Sequence, residues 1–294
     1  MLKKGGLLLG LAAVAAITWL WLASRPLTLA PADSRAETAK LRVSFLDVGQ
    51  GDAILLVTPQ GQKVLIDGGD SAQRLLTALG ERLSWPDKNL DYVILTHPHA
   101  DHVKGLNGLF GRFTIGQAVA TLVNHNASTY KFWLDNVRDR RIKLMTAAAP
   151  QVLNLDSGIS LKILNPPGLV AEQTVDNLNN SSLVLLVIYG RTRFLLMGDA
   201  ETEVEQALLS RGEDINAQVL KVAHHGSSGA TSPEFLAAVG PQLAVISVGQ
   251  ANDFGHPHER TLNRLQRAGV KILRTDERGT IDILSDGQTL ELLE

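Results

Sequence analysis

The sequence predicts a mixed α+β fold that opens with a β-meander, continues with strands and helices together, and returns to strands. The main observation is that apolar runs of strand length alternate with turn residues and helical stretches along the chain. We find no internal sequence repeat. With 294 residues, 45% of them hydrophobic, the chain can bury a large core, which excludes wholesale disorder and fibrous repeats.

Residues 1–32 form a hydrophobic N-terminal segment that differs from the rest of the chain. Two lysines precede an apolar run over residues 7–23, which is typical of an export signal or a membrane anchor. Small residues around Pro31 offer a cleavage site, whereas Trp19 and Trp21 favour an uncleaved anchor. In either case the positive-inside rule predicts that the bulk of the protein is extracytoplasmic, in the periplasm or at the cell surface.

The composition of the remaining chain limits its chemistry. Residues 33–40 are linker-like, and residues 41–294 are expected to form one folded domain. Residues 33–294 carry 25 basic and 30 acidic residues, a net charge of −5, which disfavours tight nonspecific binding of nucleic acid through bulk charge. Because there is no cysteine, any metal ion must be held by histidines and carboxylates.

The first strands of the domain are joined by glycine-containing turns. Strands are predicted at Leu41–Leu46, Ala53–Thr58 and Lys63–Ile66, and they should form an antiparallel meander. A helix is predicted at Ala72–Leu83. A buried strand at Tyr92–Thr96 then runs directly into a histidine cluster.

The second part of the chain mixes strands and helices. Its apolar runs predict strands at Gln117–Val123, Ile159–Leu164, Leu183–Tyr189, Thr192–Met197, Gln218–Ala223, Leu243–Val248 and Lys271–Thr275. Start signals and helical spacing predict helices at Glu201–Ser210, Pro233–Val239 and Glu259–Ala268.

Seven of the eight histidines fall into three clusters, and this pattern indicates a metal site. The first cluster, THPHADH, follows the strand at residues 92–96. Its spacing can direct His97 and His99 to one cation, and Asp101 with His102 to a second. The other clusters are His224 with His225 and His256 with His258, and only His125 stands alone.

Two further predicted strands end in candidate ligands. The strand at residues 192–197 ends in Gly-Asp-Ala, where Asp199 is placed either to bridge two cations or to cap a helix. The strand at residues 218–223 runs into His224-His225-Gly226, where one ring can bind a metal while the other faces the substrate.

These motifs together resemble the metallo-β-lactamase fold superfamily. More narrowly, the segments VSFLDVGQGDAILL, VLIDGGD, VILTHPHADHVKGL, NNSSLVLLV, FLLMGDAE, LKVAHHGSS and GHPH are similar to the hydrolase domain of the ComEC/Rec2 competence proteins and its stand-alone relatives. The match spans about residues 41–285. The resemblance implies a four-layer αββα sandwich with a two-metal site at one edge. In competence proteins this domain is proposed to degrade one strand of incoming DNA outside the membrane.

The resemblance also implies roles for individual residues. It implies that His97 and His99 bind the first cation, that Asp101, His102 and His225 bind the second, and that Asp199 bridges them. His225 is chosen over His224 because it directly precedes Gly226.

Two aspartates are candidates for supporting roles. Asp67 in LIDGG matches the family position that orients a ligand histidine, although an Asp before Gly also suits a simple turn. Asp52 in GQGD is either a supporting or phosphate-loop residue or part of a hairpin turn.

The chain departs from hydrolytic β-lactamases where a further histidine would complete the first metal site. The corresponding segment is residues 177–182, with the sequence NLNNSS. Asn180 or Ser181 would then supply oxygen, directly or through water. Such mixed nitrogen and oxygen ligation suits Zn²⁺ or Mn²⁺.

The mechanism expected from this arrangement is hydrolysis. Two divalent cations sharing Asp199 would supply hydroxide from a bridging water near neutral pH and neutralise charge on a phosphodiester. Asp101 would orient that nucleophile. His256 and His258 would protonate the leaving group or contact phosphate, assisted by the N–H groups of a helix start.

Three functions are compatible with the sequence. The leading one is an extracytoplasmic metal-dependent phosphodiesterase or nuclease acting on a phosphodiester such as single-stranded DNA, with any transport channel being a separate protein partner. The second is a hydrolase of a small phosphoester, lactone or thioester; the missing histidine argues against a β-lactam. The third is a noncatalytic, metal-stabilised binding module of an envelope complex, against which the complete ligand set argues.

Overall fold

The computed structural model describes residues 40–84 and 86–293. The predictions about residues 1–32 and about most of the linker lie outside this part of the chain. Among the described residues, none of the helices is both long and apolar enough to cross a membrane.

The strands and helices of the described chain alternate as follows. The strands are β1 (Leu41–Phe45), β2 (Ile54–Val57), β3 (Lys63–Ile66), β4 (Asn89–Leu95), β5 (Thr114–Ala120), β6 (Lys143–Thr146), β7 (Val152–Asn154), β8 (Ser160–Asn165), β9 (Val184–Tyr189), β10 (Thr192–Leu196), β11 (Val219–Lys221), β12 (Leu243–Ile246), β13 (Lys271–Arg274), β14 (Ile281–Ser285) and β15 (Leu290–Leu292). The α-helices are α1 (Ala72–Arg82), α2 (Ala100–Val103), α3 (Ser128–Asp139), α4 (Thr202–Ser210), α5 (Pro233–Val239), α6 (Glu259–Arg267) and α7 (Thr275–Arg278).

The strands form two mixed sheets. One has the order β15-β14-β1-β2-β3-β4-β5-β6 and the other β13-β12-β11-β10-β9-β8-β7. The expected antiparallel meander is confirmed, because β1 pairs with β2 and β2 with β3 in that sense. Strands β3 to β6 are parallel to one another, as are β10 to β13. Loops that follow parallel strands lie at the same edge of a sheet, and ligand sites form there in open α/β sheets.

The packing of the sheets and helices confirms the αββα arrangement. Side chains of the two sheets, such as Phe45 and Phe194, share one buried core. A second core joins the outer face of β9 to β12 to helices α4, α5 and α6, for example through Leu208 and Phe235. A third joins the outer face of β2 to β5 to α1 and α3, with Trp133 fully buried.

Each predicted strand and helix is found, with its ends displaced by about three residues at most. Helix α3 was not predicted, although its buried residues Tyr130, Trp133 and Val137 follow helical spacing. This helix begins after Ala127, which makes no side-chain capping bond, so the usual start signal is absent. Also not predicted were the edge strands β6, β7 and β15, which are short and partly exposed, and β14, which pairs with β1.

Candidate metal centre

The candidate ligands come from the loops after four strands. Asp67 follows β3, and the segment from His97 to His102 follows β4 in the same sheet. Asp199 follows β10 and the pair His224-His225 follows β11 in the other sheet. The structure therefore brings together side chains that the sequence separates by more than half of the domain.

Asp67 fixes the orientation of His102. The Asp67 carboxylate accepts hydrogen bonds from the backbone N–H and the hydroxyl of Thr96, at 2.8 and 2.7 Å. It also lies 2.8 Å from Nδ1 of His102. A carboxylate at Nδ1 directs Nε2 of the same imidazole toward a ligand, and this Nε2 is buried without a hydrogen-bond partner in the described chain.

The nitrogens of His97 and His99 converge. The Thr96 hydroxyl donates to Asp67, so its oxygen can accept from Nδ1 of His97, which lies 3.1 Å away. This bond makes Nε2 of His97 the free acceptor of the neutral ring. Nε2 of His97 lies 3.0 Å from Nδ1 of His99, so the two nitrogens can face one cation.

Asp199 lies at the centre of the cluster. Its Oδ2 is 3.3 Å from Nε2 of His102, 3.5 Å from Nε2 of His225 and 3.7 Å from Nε2 of His97. Its Oδ1 is buried and makes no hydrogen bond with any described residue. Asp199 does not cap a helix, because α4 begins at Thr202 with Glu201 in the N-cap position.

His225 and its neighbour adopt an unusual backbone. Both His224 (φ 49°) and His225 (φ 52°) are in the left-handed region, where side-chain-bearing residues are uncommon. Nδ1 of His225 donates to the carbonyl of Ser247 at 3.0 Å. This leaves Nε2 facing the carboxylate of Asp101 at 3.3 Å, as well as Asp199.

His224 also points into the cluster rather than away from it. Its Nε2 lies 3.9 Å from Oδ2 of Asp199, and its Nδ1 lies 3.2 Å from Oε1 of Glu201. Glu201 in turn accepts hydrogen bonds from the side-chain amides of Asn177 and Asn179, at 2.9 and 2.8 Å. The sequence analysis did not single out Glu201 or Asn179, although both lie inside or beside the quoted motifs.

The side chains of Asn180 and Ser181 are engaged outside the imidazole cluster. Asn180 accepts from the backbone N–H of Glu201 at 3.0 Å and donates to Glu203, while Ser181 donates to the carbonyl of Leu178. In this segment Asn179 is the residue whose side chain reaches His224. Its Oδ1 is buried and unpartnered among the residues described.

A buried ion pair lies next to His225 of the cluster. Nζ of Lys221 lies 2.9 Å from Oδ1 of Asp52, and both side chains are almost completely buried. The same Asp52 oxygen is 3.4 Å from Nδ1 of His225. Lys221 was missed in the sequence analysis, because its partner lies in the first turn of the domain and only the tertiary fold brings them together.

His256 and His258 line one side of the centre. The His256 ring centroid lies 5.5 Å from that of His224 and 5.3 Å from that of His258. Asn252 holds the preceding loop by accepting from the backbone N–H of His256 and donating to its carbonyl. Phe254 stacks beside His256 with a 23° interplanar angle, and 64% of Phe254 is exposed.

Burial and charge set the protonation of the cluster. Burial opposes ionisation of His102 and His225, but the surrounding carboxylates, Asp199 foremost, raise the pKa of both well above its usual value. Burial and the charges of neighbouring imidazoles lower the pKa of His97 and of His99. The isolated His125 is one of these neighbours of His99, which the sequence did not indicate.

Asp199 and Asp101 remain ionised despite their burial. Burial would raise the pKa of Asp199, but His225 and His102 hold it well below its usual value. His102 and His225 likewise lower the pKa of Asp101 against the effect of burial. For Asp67, burial prevails over its hydrogen bonds and the pKa is raised.

The donor set fits divalent metal ions. Within the described chain, three groups have ligand atoms close enough together to hold a cation: His97 with His102 and Asp199, Asp101 with His102 and His225, and Asp52 with Asp67 and His102. Buried imidazole nitrogens and a carboxylate oxygen without hydrogen-bond partners in the described chain are the atoms that a cation would satisfy. Imidazole and carboxylate ligation is compatible with zinc and with manganese.

A separate polar cavity lies in neighbouring loops. It has a volume of about 600 Å³ and is lined by residues that include Gln50, Arg74, Lys104, Gln250 and Asn252. The histidines of the centre are not part of its lining.

Comparison with known proteins assigns the family. The sequence profile described as "Metallo-beta-lactamase superfamily" matches residues 46–250. The chain is 32% identical over 255 residues to "ComE operon protein 3" of Bacillus subtilis, covering 81% of this chain and 32% of that protein. It is 31% identical over 242 residues to "Competence protein ComA" of Neisseria gonorrhoeae, covering 81% and 31%.

A shorter part of the chain is similar to a protein whose name denotes a nuclease. Over 55 residues the chain is 46% identical to "Ribonuclease Z" of Clostridium kluyveri, which covers 19% of this chain and 17% of that protein. The chain spans about one third of the length of the two competence relatives. The profile match, the αββα fold and these relatives together show that the chain belongs to the metallo-beta-lactamase superfamily.

Proposed function

We propose that this chain is an extracytoplasmic metal-dependent phosphodiesterase or nuclease. The observation that carries the proposal is the convergence of imidazole Nε2 atoms on Oδ2 of Asp199 at the carboxyl ends of both sheets. Membership in the superfamily supports metal-dependent hydrolysis. The match to a protein named Ribonuclease Z favours a phosphodiester as the bond that is cleaved.

The proposed ligands fall into two groups around one carboxylate. His97 and His99 would hold the first divalent cation, with Asp199 shared between both sites. Asp101, His102 and His225 would hold the second, which is one of the groups that the structure brings within ligand distance. Zn²⁺ or Mn²⁺ bound there would activate water and neutralise phosphate charge.

The chain's own residues would supply the remaining steps. Asp101, ionised and partly exposed, can orient an attacking water by accepting its hydrogen bond. Burial and the neighbouring histidines lower the pKa of His256 to about 4, so this ring is neutral at neutral pH and can accept a hydrogen bond. His258, which precedes α6, remains the candidate for contact with the leaving group.

An exposed aromatic ring favours a nucleic acid over a small ester. Phe254 lies at the rim of the centre, stacked beside His256 and 64% exposed. Aromatic side chains at such positions serve as platforms for the bases of single-stranded nucleic acids, whatever their sequence. A stacking contact of this kind would compensate for the net negative charge of residues 33–294.

The location and partners of the protein form the second half of the proposal. The N-terminal apolar segment, with its basic start, supports export or anchoring on the positive-inside argument. The relatives with competence names support a role near DNA uptake, in which a separate protein would form the channel. Cell fractionation with a protease-accessibility assay tests the location: protection of the domain in intact spheroplasts would contradict it.

The experiment for the activity compares substrate classes on the full-length protein. We expect cleavage of bis-p-nitrophenyl phosphate and of single-stranded DNA with Mn²⁺ or Zn²⁺, and none with a chelator. Parallel reactions with a thioester and a lactone test the alternative carbonyl substrates. Turnover of those substrates in the absence of any phosphodiester cleavage would overturn the proposed function.

A further inference from the structure

The first metal site of the proposed function has fewer ligands than the second, which also has the carboxylate of Asp101. Sequence and structure together give it His97, His99 and the shared Asp199. The segment where a further histidine would be expected carries Asn and Ser, and the side chains of Asn180 and Ser181 are engaged elsewhere. A missing ligand should therefore be sought among the neighbouring side chains.

His224 is a neighbouring imidazole whose Nε2 faces the shared carboxylate of Asp199. Its Nε2 is 3.9 Å from Oδ2 of Asp199, close to the 3.7 Å that separates Nε2 of His97 from the same oxygen. The left-handed backbone of both residues in the His224-His225 pair places their ring centroids 6.1 Å apart. Because consecutive left-handed residues with side chains are strained, their presence suggests that both rings are needed at the centre.

The carboxylate of Glu201 lies beside the other nitrogen of the His224 ring. Nδ1 of His224 lies 3.2 Å from Oε1 of Glu201. The side-chain nitrogen of Asn179 lies 3.4 Å from the same Nδ1. When Nε2 binds a cation, the proton of the ring is on Nδ1, and the Glu201 oxygen is the acceptor beside it. A carboxylate paired in this way with a ligand histidine is the usual support of a zinc-binding imidazole.

Hydrogen bonds from two asparagines hold the side chain of Glu201 in place. It stands at the N-cap of α4, yet its side chain makes no capping bond. Instead its two oxygens accept from the amides of Asn177 and Asn179, and its backbone N–H donates to Asn180. The asparagine segment that replaces the expected histidine thus builds the support for His224.

We propose that His224 is a ligand of the first cation through Nε2, with Glu201, clamped by Asn177 and Asn179, as its positioning residue. The inference rests on the two-cation site of the proposed function. It replaces the expectation that His224 faces the substrate: both members of the histidine pair bind metal, each at a different site.

The test counts bound metal and does not depend on activity. Metal-free full-length protein is titrated with Mn²⁺ by calorimetry, and electron paramagnetic resonance distinguishes coupled pairs of Mn²⁺ from single ions. The wild-type protein should bind two ions with a coupled spectrum. His224→Ala should bind one ion with an uncoupled spectrum, because Asp101, His102 and His225 remain.

Glu201→Gln tests the positioning role with a less disruptive change. The affinity of the Glu201→Gln protein for one of the two ions should fall by about 10- to 100-fold, which is the usual effect of removing the partner that supports a ligand histidine. Glu203→Gln is the matched control, since Glu203 lies on the same helix and accepts from Asn180 at 3.3 Å, away from His224. It should bind two ions as the wild-type protein does.

The outcomes separate this inference from the proposed function. Two ions bound by His224→Ala with wild-type affinity and a coupled spectrum would overturn the inference and leave the two-cation site intact. No ion bound by the folded wild-type protein would overturn the proposed function as well. If Glu201→Gln bound two ions with wild-type affinity while His224→Ala bound one, Glu201 would not be the positioning residue.

Discussion

Replacing Lys221 by methionine should destabilise the protein strongly, because it would remove the lysine ammonium that lies 2.9 Å from the buried carboxylate of Asp52. Nζ of Lys221 and Oδ1 of Asp52 are 2.9 Å apart, and their side chains are at most 1% exposed. Neither Asp52 oxygen has a hydrogen-bond partner in the described chain. Breaking such a pair costs about 3–5 kcal/mol.

This cost can be converted into a shift of the melting temperature. A domain of 150–250 residues loses about 2–4 °C per kcal/mol, so Lys221→Met should melt about 6–20 °C lower than the wild-type protein. Thermal unfolding of the metal-free protein, followed by circular dichroism, measures the shift. Lys63→Met is a suitable control: its partner Asp87 is 41% exposed, and such a pair is worth at most about 1 kcal/mol.

The double variant Asp52→Asn/Lys221→Met decides whether the buried charge is the cause. Removing both charges should restore most of the stability, because neutralised pairs of similar volume are often close to neutral in effect. In Lys221→Met alone, the unpaired Asp52 should have a raised pKa, so the deficit should shrink as the pH falls. A double variant that loses the sum of the two single losses would refute the reasoning.

Three further results are expected at the proposed centre. Phe254→Ala should raise the KM for single-stranded DNA by about 5- to 150-fold, the equivalent of about 1–3 kcal/mol of stacking on the exposed ring. The turnover of bis-p-nitrophenyl phosphate should stay unchanged, and equal effects on both substrates would contradict a stacking role. Asp67→Asn should weaken metal binding by about 10- to 100-fold in calorimetry, because the support of His102 changes from a carboxylate to an amide; unchanged affinity would remove that role. Chelation should lower the melting temperature: a free cation at about 100 times its Kd contributes about 2.7 kcal/mol, and an unchanged melting point would indicate that no cation is bound.

Much of the architecture could be predicted from local patterns. The meander β1 to β3 has mostly apolar strands and glycine-containing turns, and the strands next to the centre are rich in apolar residues. Helix α3 could not be placed in this way, since it lacks a capping residue and is stabilised by the burial of Tyr130 and Trp133. The edge strands β6, β7 and β15 gave little signal because they are short and few of their side chains are fully buried.

The site shows the same division between local and tertiary information. The spacing of THPHADH placed four candidate side chains together, because they lie within one loop and helical turn. The sequence could not show that Lys221 pairs with Asp52, or that Glu201 holds His224, because both contacts join different sheets or loops. The orientation of the His224 ring depends on a left-handed backbone conformation, which the residue types at positions 224 and 225 do not predict.

The most direct test of the central claim is phosphodiester cleavage by the wild-type protein and by Asp199→Ala, each with Mn²⁺ and with a chelator. Asp199 is the carboxylate on which the imidazole nitrogens converge. Loss of about 4 kcal/mol of transition-state stabilisation would lower the rate about a thousandfold. We expect cleavage by the wild-type protein with Mn²⁺ and near-background rates in the other three reactions. Cleavage that persists in Asp199→Ala or in the chelator would contradict the account.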